Sequence, residues 1–253
     1  MVMLLGLGLA AILPAEEPAV HYLHQGVMPP GAIGSLQLQR GGPLPGFFEP
    51  VEIKAPPGVL ISLATDGHFG QAHRVPLRVG LLVGRVYRIR VMHIPFHAGM
   101  EVFPTIEIIN RLYVPGGQEN RFAVPIEITL EDLRLALEGK FVTRVIYLED
   151  PETALAVAED PKGHNWFEAG PGRDPLAMAD QLGRPMAILR LGARLPAQAQ
   201  GPDMTFLYGC PPFKMYPSRV KIIAPPSKQP SPPPAASGEK GVTIHPLKKR
   251  KQG

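Results

Sequence analysis

The sequence predicts a mainly β (α+β) protein: an antiparallel, immunoglobulin-like β-sandwich with a few short helices and a disordered, proline-rich basic tail. Three observations predict it. Pro 31 and Gly 27 in 253 residues favour many short elements joined by tight turns and disfavour a helical bundle. Between residues 51 and 150, short β-branched runs alternate or run apolar and are cut by Gly/Pro pairs. A single cysteine, Cys210, excludes internal disulfides and a cysteine-based zinc cluster, so a 45% hydrophobic composition must supply the core.

The chain opens with MVMLLGLGLAAILPAEEPA, apolar from residue 2 to 13. That length matches the apolar region of a secretory signal and falls short of the ~20 residues a membrane span needs. Small residues permit cleavage after Ala15 or Ala19, although no Lys or Arg precedes the run. Residues 1–19 are therefore read as a signal peptide. Residues 20–50 hold no sustained period and read as an irregular Gly/Pro-rich lead-in.

Residues 51–223 read as one β-rich domain. "VEIKAPPGVLISLA", "VPLRVGLLVGRVYRIRVMHI", "MEVFPTIEII" and "RFAVPIEITL" have strand character. In "RVYRIRV", Val86, Tyr87, Ile89 and Val91 form an apolar face opposed by Arg85, Arg88 and Arg90. Farther on, Val102, Ile106 and Ile108 face one way and Glu107 the other. Helices are expected near 130–138, 151–159 and 175–182. Thr129 with Asp132 makes a near capping box for the first, and Asp150-Pro151 and Asp174-Pro175 open the other two. "KFVTRVIYLED" returns to strand, with Phe141, Val142, Val145, Ile146, Tyr147 and Leu148 as its packing set. "PMAILRLGARL" reads as another strand, and "MTFLYG" and "SRVKIIAP" as further ones.

The net charge of +4 is uneven. From Arg219 onward eight basic residues face one acid, Glu239, so residues 1–218 carry 18 basic and 21 acidic groups. The body is mildly acidic, with no footprint for specific nucleic-acid recognition. Residues 224–253 read as a disordered spacer ending in HPLKKRKQG. There Lys248, Lys249, Arg250 and Lys251 would contact an anionic envelope or extracellular protein or polymer through salt-sensitive attraction.

Four loop histidines, His68, His73, His93 and His97, are the candidate metal ligands. With Asp66 and Glu101, and with His21 and His24 from the lead-in, they would suit Cu²⁺ or Zn²⁺ if their loops share one end of the domain. Pro95 lies between His93 and His97, which rules out the two-histidine helix of a zinc protease. A second candidate is "GHNWFEAGPGRDP", where His164, Asn165, Trp166 and Glu168 combine an aromatic face with polar groups suited to a sugar or a protein partner. Cys210, between Gly209 and Pro211, reads as a packed turn residue. No nucleophile elbow, zinc-protease helix, phosphate loop or dinucleotide glycine pattern occurs. The expectation is a secreted or periplasmic module with a structural or binding role at the envelope and no catalysis. The alternatives are a metal-binding protein or metalloenzyme, and a carbohydrate-binding domain.

Overall fold

The computed structural model describes residues 28–152, 168–170, 172–196 and 203–217, all within the unit Met1–Ser218. Helix α1 spans Ala32–Gln39; strands β1 to β6 span Phe48–Lys54, Leu60–Thr65, His68–Arg74, Leu77–Leu82, Val86–Met92 and Thr105–Ile108. They are followed by β7 (Val124–Glu127), α2 (Leu130–Leu137), β8 (Val142–Glu149), α3 (Pro175–Leu182), β9 (Gly183–Leu191) and β10 (Phe213–Met215). The protein is mainly β, as expected. Its strands form a four-stranded sheet in the order β10-β4-β1-β7 and a six-stranded sheet in the order β3-β2-β5-β6-β9-β8. Pairing is antiparallel except between β1 and β7, which run parallel with Val51 opposite Val124. The first sheet is therefore mixed, a departure from the all-antiparallel expectation.

One hydrophobic cluster joins the two sheets. Val51, Ile53, Val79 and Leu81 from the first meet Ile61, Ile89, Ile106 and Leu189 from the second, all essentially without solvent contact. These are alternate residues along their strands, the period a half-buried strand requires. Helix α2 contributes Leu133 and Ala136 to the same cluster.

The six-stranded sheet buries its other face as well, which alternation alone did not reveal. Ile109 and Ile188 pack there against Ile33 of α1 and Leu176 of α3. Farther along, Ala64 and Phe103 pack against Phe206 and Leu207. Glu107 and Arg88 thus lie under helices and loops. Glu107 is fully buried; its Oε2 accepts from Arg190 Nη1 at 2.7 Å and its Oε1 from the backbone N–H of Gly34 at 2.9 Å. Gly34 sits in the first turn of α1, where backbone N–H groups lack intrahelical acceptors and favour negative charge. A Cβ on Gly34 would lie 2.9 Å from the Gly84 Cα, so only glycine lets α1 approach this closely. Arg88 donates from Nε to Phe206 O (3.1 Å) and from Nη1 to Phe103 O (2.7 Å), with its guanidinium 4.4 Å from the Phe206 ring centre.

Two further expectations need correction. The lead-in 20–50 is not irregular throughout: α1 occupies 32–39, and β1 begins at Phe48. The helix has no side-chain N-cap and no sharp amphipathic stripe; tertiary packing of Ile33 and the Glu107 contact hold it. "MTFLYG" forms consecutive turns at 204–209 rather than a strand. Asp203 Oδ1 accepts from the N–H of Phe206, and Tyr208 takes a positive φ of 53°. The helices expected near 130–138 and 175–182 are present; Thr129 and Asp132 complete a reciprocal capping box, and Asp174 Oδ1 accepts from Leu176 N. Residues 153–159 of the third expected helix, the strand at 218–225, residues 1–19 and the tail lie outside the described residues.

Removing one partner of a buried ion pair leaves an uncompensated charge, and Glu107 holds two elements besides. Glu107→Ala is expected to destabilise by about 3–5 kcal/mol in urea unfolding. Nε and Nη2 of Arg190 have no partner among the described residues. Replacing both groups with apolar side chains, Glu107→Leu with Arg190→Met, is therefore expected to recover most of the loss. A double variant as unstable as the single one would show that the ion pair is not the reason.

Candidate functional site

A cleft of about 420 Å³ runs along the outer edge of β8. One wall is α2, with Glu131, Asp132 and Leu135; the other is α3 and its approach, with Glu168, Arg173, Pro175 and Met178. Val142, Thr143, Arg144, Val145 and Tyr147 of β8 line it between them. Only Glu168 of the aromatic-loop candidates is described; it is exposed and lies on the cleft wall. His164, Asn165 and Trp166 lie outside the described residues, as do Lys248, Lys249, Arg250 and Lys251.

Local chemistry places each wall. Asp132 is buried and serves two partners at once. Its carboxylate accepts from Thr129 N in the capping box and from Arg144 Nε and Nη2, the shortest contact being 2.7 Å. A carboxylate facing a guanidinium edge-on gives the forked geometry that fixes orientation as well as charge. The interaction locks α2 to β8. On the other side Gly183 ends α3 and begins β9 with no intervening loop; a Cβ there would lie 2.1 Å from Leu148 O. Only glycine permits that crossing, which sets α3 beside β8.

The edge strand is itself unusual. β8 pairs with β9 from Val142↔Leu191 to Glu149↔Gly183, and no described strand pairs with its other side. Phe141 and Leu148 belong to the packing set the sequence predicts for this strand, yet they are 69% and 45% exposed. The extra residue in the β8–β9 ladder belongs to β9, since Ile146 faces Ala187 and Tyr147 faces Pro185. β8 therefore keeps an unbroken alternation.

The four histidines do not meet. Asp66-Gly67, both with positive φ, form a two-residue hairpin turn, so His68 begins β3 and His73 lies near its far end. They are five positions apart along the strand, roughly 15 Å, beyond what two imidazoles on one ion span. His93 and His97 occupy the β5–β6 connection. Glu101, read as a further ligand, instead forms a two-bond fork with Arg90, Nε to Oε2 being 2.9 Å. Among the described residues no group of three or more His, Cys, Asp or Glu side chains is placed to hold a metal. The connection is nonetheless distinctive, because His93 and Phe96 both take positive φ and Phe96 is 93% exposed. Cys210 is a half-buried turn residue whose Sγ accepts from Gly67 N at 3.4 Å.

A second polar cluster, missed in the sequence, surrounds Glu49 near the start of β1. Glu49 is 1% exposed; Oε2 accepts from Leu112 N at 3.0 Å, while Oε1 has no partner among the described residues. Burial pushes its carboxyl up to about 7, against the opposing pull of the Leu112 N–H, Arg111 and Arg184. Arg111 is held between the rings of Phe47 (4.8 Å) and Tyr113 (4.4 Å), and Arg184 lies 5.1 Å from the Tyr113 ring. The missed signal was local: Glu49 shares the inward parity of Val51 and Ile53. Nearby, burial also raises the Tyr87 hydroxyl to about 12; it accepts from Leu82 N and donates to Pro212 O.

No family of known proteins, no curated protein and no solved structure matches this chain.

Because Glu49 has a raised folded-state pKa, folding takes up a proton between the unfolded value of 4.5 and about 7. The associated stability is fully present below 4.5 and lost as pH rises through 7. Thermal unfolding should show a decline on the order of 1–3 kcal/mol across that window. Glu49→Gln should flatten the decline and be the more stable protein at pH 8. An unchanged pH profile in that variant would refute the assignment.

Proposed function

We propose that this chain is a non-catalytic binding module of the cell envelope, periplasmic or extracellular, that engages a polypeptide partner by strand pairing along the β8 edge. The observation that carries this reading is the open edge itself. An eight-residue strand, with Leu148 exposed on it and Phe141 exposed just before it, borders a cleft between two helices. Unpaired backbone donors and acceptors on such an edge template the addition of another strand, and side-chain pockets beside it give selectivity. The Asp132–Arg144 fork fixes the α2 wall to the edge strand, so this side of the site is ordered before a partner arrives.

Other features agree with this reading. Two sheets sharing one core support a β-sandwich; the immunoglobulin-like comparison rests on that two-sheet architecture alone. No helix among the described residues is long and apolar enough to cross a membrane. The apolar start and the basic end, Lys248 to Lys251, favour an exported chain held near an anionic surface.

Fractionation of cells expressing the full chain tests the proposal. The protein is expected in the periplasmic or extracellular fraction with a mature N-terminus after Ala15 or Ala19. Backbone amides of β8 should exchange more slowly with deuterium in the presence of envelope extract. Cytoplasmic recovery with an unprocessed N-terminus would defeat the location, and β8 amides that exchange freely both with and without extract would defeat the binding site. Deleting residues 240–253 should lower envelope retention at low salt and change nothing at high salt.

Carbohydrate binding is the second reading, favoured by Glu168, Thr143 and Tyr147 lining one cleft. Titration with envelope glycans would then protect the same cleft, and Glu168→Gln would weaken the effect.

A further inference from the structure

We infer that the strand added to β8 is β8 of a second copy, so that two chains join their six-stranded sheets across a two-fold axis. This rests on the strand-pairing reading above and names its partner.

Continuity of the sheet limits the register. When two copies of one strand pair antiparallel about a two-fold axis normal to the sheet, facing residues share a face, so their numbers differ by an even amount. A two-fold at Arg144 would set two guanidinium groups directly opposite each other, which is destabilising. A two-fold at Ile146 would bring Pro151 opposite Phe141, where proline has no N–H to pair. A two-fold at Val145 meets neither objection. It places Val145 against Val145 of the second copy, Val142 against Leu148, Thr143 against Tyr147 and Arg144 against Ile146. At each end Lys140 comes opposite Asp150, a pairing of opposite charges.

The same register accounts for an exposure the single chain leaves unexplained. Leu148, 45% exposed, would cover Val142 of the second copy at both ends. β8 has no extra residue of its own, so nothing interrupts a ladder on its free side. The cleft flanking that edge leaves room beside it for the incoming strand's side chains. An eight-residue strand pair with its flanks buries on the order of 1,000 Å², the lower end for specific association, so the dimer should dissociate measurably on dilution.

Cross-linking tests the two-fold. Opposed Cβ atoms in an antiparallel pair lie about 4.5–5.5 Å apart, close enough for a disulfide after small adjustment. In the full chain with Cys210→Ala, Val145→Cys should form an inter-chain disulfide under mild oxidation, and Ile146→Cys should not. Equal linking of both, or of neither, would overturn the register. In sedimentation equilibrium, wild type should show a concentration-dependent dimer. Lys140→Asp and Asp150→Lys should each weaken it about three- to tenfold, and the two together should restore it. A wild type that stays monomeric at every concentration overturns the dimer. If its β8 amides are then still protected by envelope extract, the edge binds another polypeptide and only this inference falls; if they are not, the binding reading falls with it.

Discussion

The buried contact between Glu107 and Arg190 decides what kind of β-protein this is. It lies on the face of the six-stranded sheet that a two-sheet protein would leave to solvent. An ion pair at that position, with Glu107 fully buried and the Arg190 side chain 3% exposed, holds only if something covers it. The cover is α1, whose Gly34 N–H supplies the second bond to the carboxylate, together with α3, which packs Leu176 on Ile188. One carboxylate thus joins β6, β9 and the N-terminal turn of α1. The result is a sheet buried on both faces, with β9 buried along seven consecutive residues.

That double burial determines where a site can form. Covered above by α3 and below by α2 and the first sheet, the six-stranded sheet is reachable along its edges. At the β3 edge, Asp66 to Arg74 is largely exposed and polar. Arginine, histidine and glutamine there suit a solvated edge and discourage further pairing. At β8 the side chains are mixed and the walls stand on either side. Asp132 matters because it caps α2 and clamps Arg144 with one carboxylate, so the cleft wall and the edge strand are fixed together.

Much of the strand pattern was legible because alternation reports one buried face directly. Val51/Ile53, Val79/Leu81, Tyr87/Ile89 and Ile106/Ile108 all enter the shared core as their spacing implies. Capping chemistry was equally legible: Thr129 with Asp132 and Asp174-Pro175 act through neighbours three residues away or fewer. What stayed hidden depends on contacts distant in sequence. α1 has no cap and little amphipathic contrast, and its stability comes from Glu107, 73 residues away. Arg88 looked like a surface residue because nothing local reveals that Phe206, 118 residues on, will cover it. The histidines are spread by a local device: Asp66-Gly67 is a tight hairpin turn, and the strand it starts carries His68 and His73 apart.

Glu49 and Glu107 show how the number of partners, at equal burial, changes what a carboxylate does. Both are essentially out of contact with water. Glu107 has a donor on each oxygen, one from a guanidinium and one from a helix's first turn. Glu49 has one backbone N–H and an oxygen with no described donor, and its arginines act on it without a direct bond. A buried oxygen without a donor is least costly when protonated, because the neutral acid loses far less on leaving water than the carboxylate does. Desolvation then outweighs the arginines, and the group titrates near neutrality while remaining in the core. The Arg111–Tyr113–Arg184 stack beside it places positive charge where a deprotonated Glu49 would have to be compensated. This end of the shared core therefore differs from the cleft, because its electrostatic balance changes with pH while the Asp132–Arg144 fork ties the α2 wall to β8.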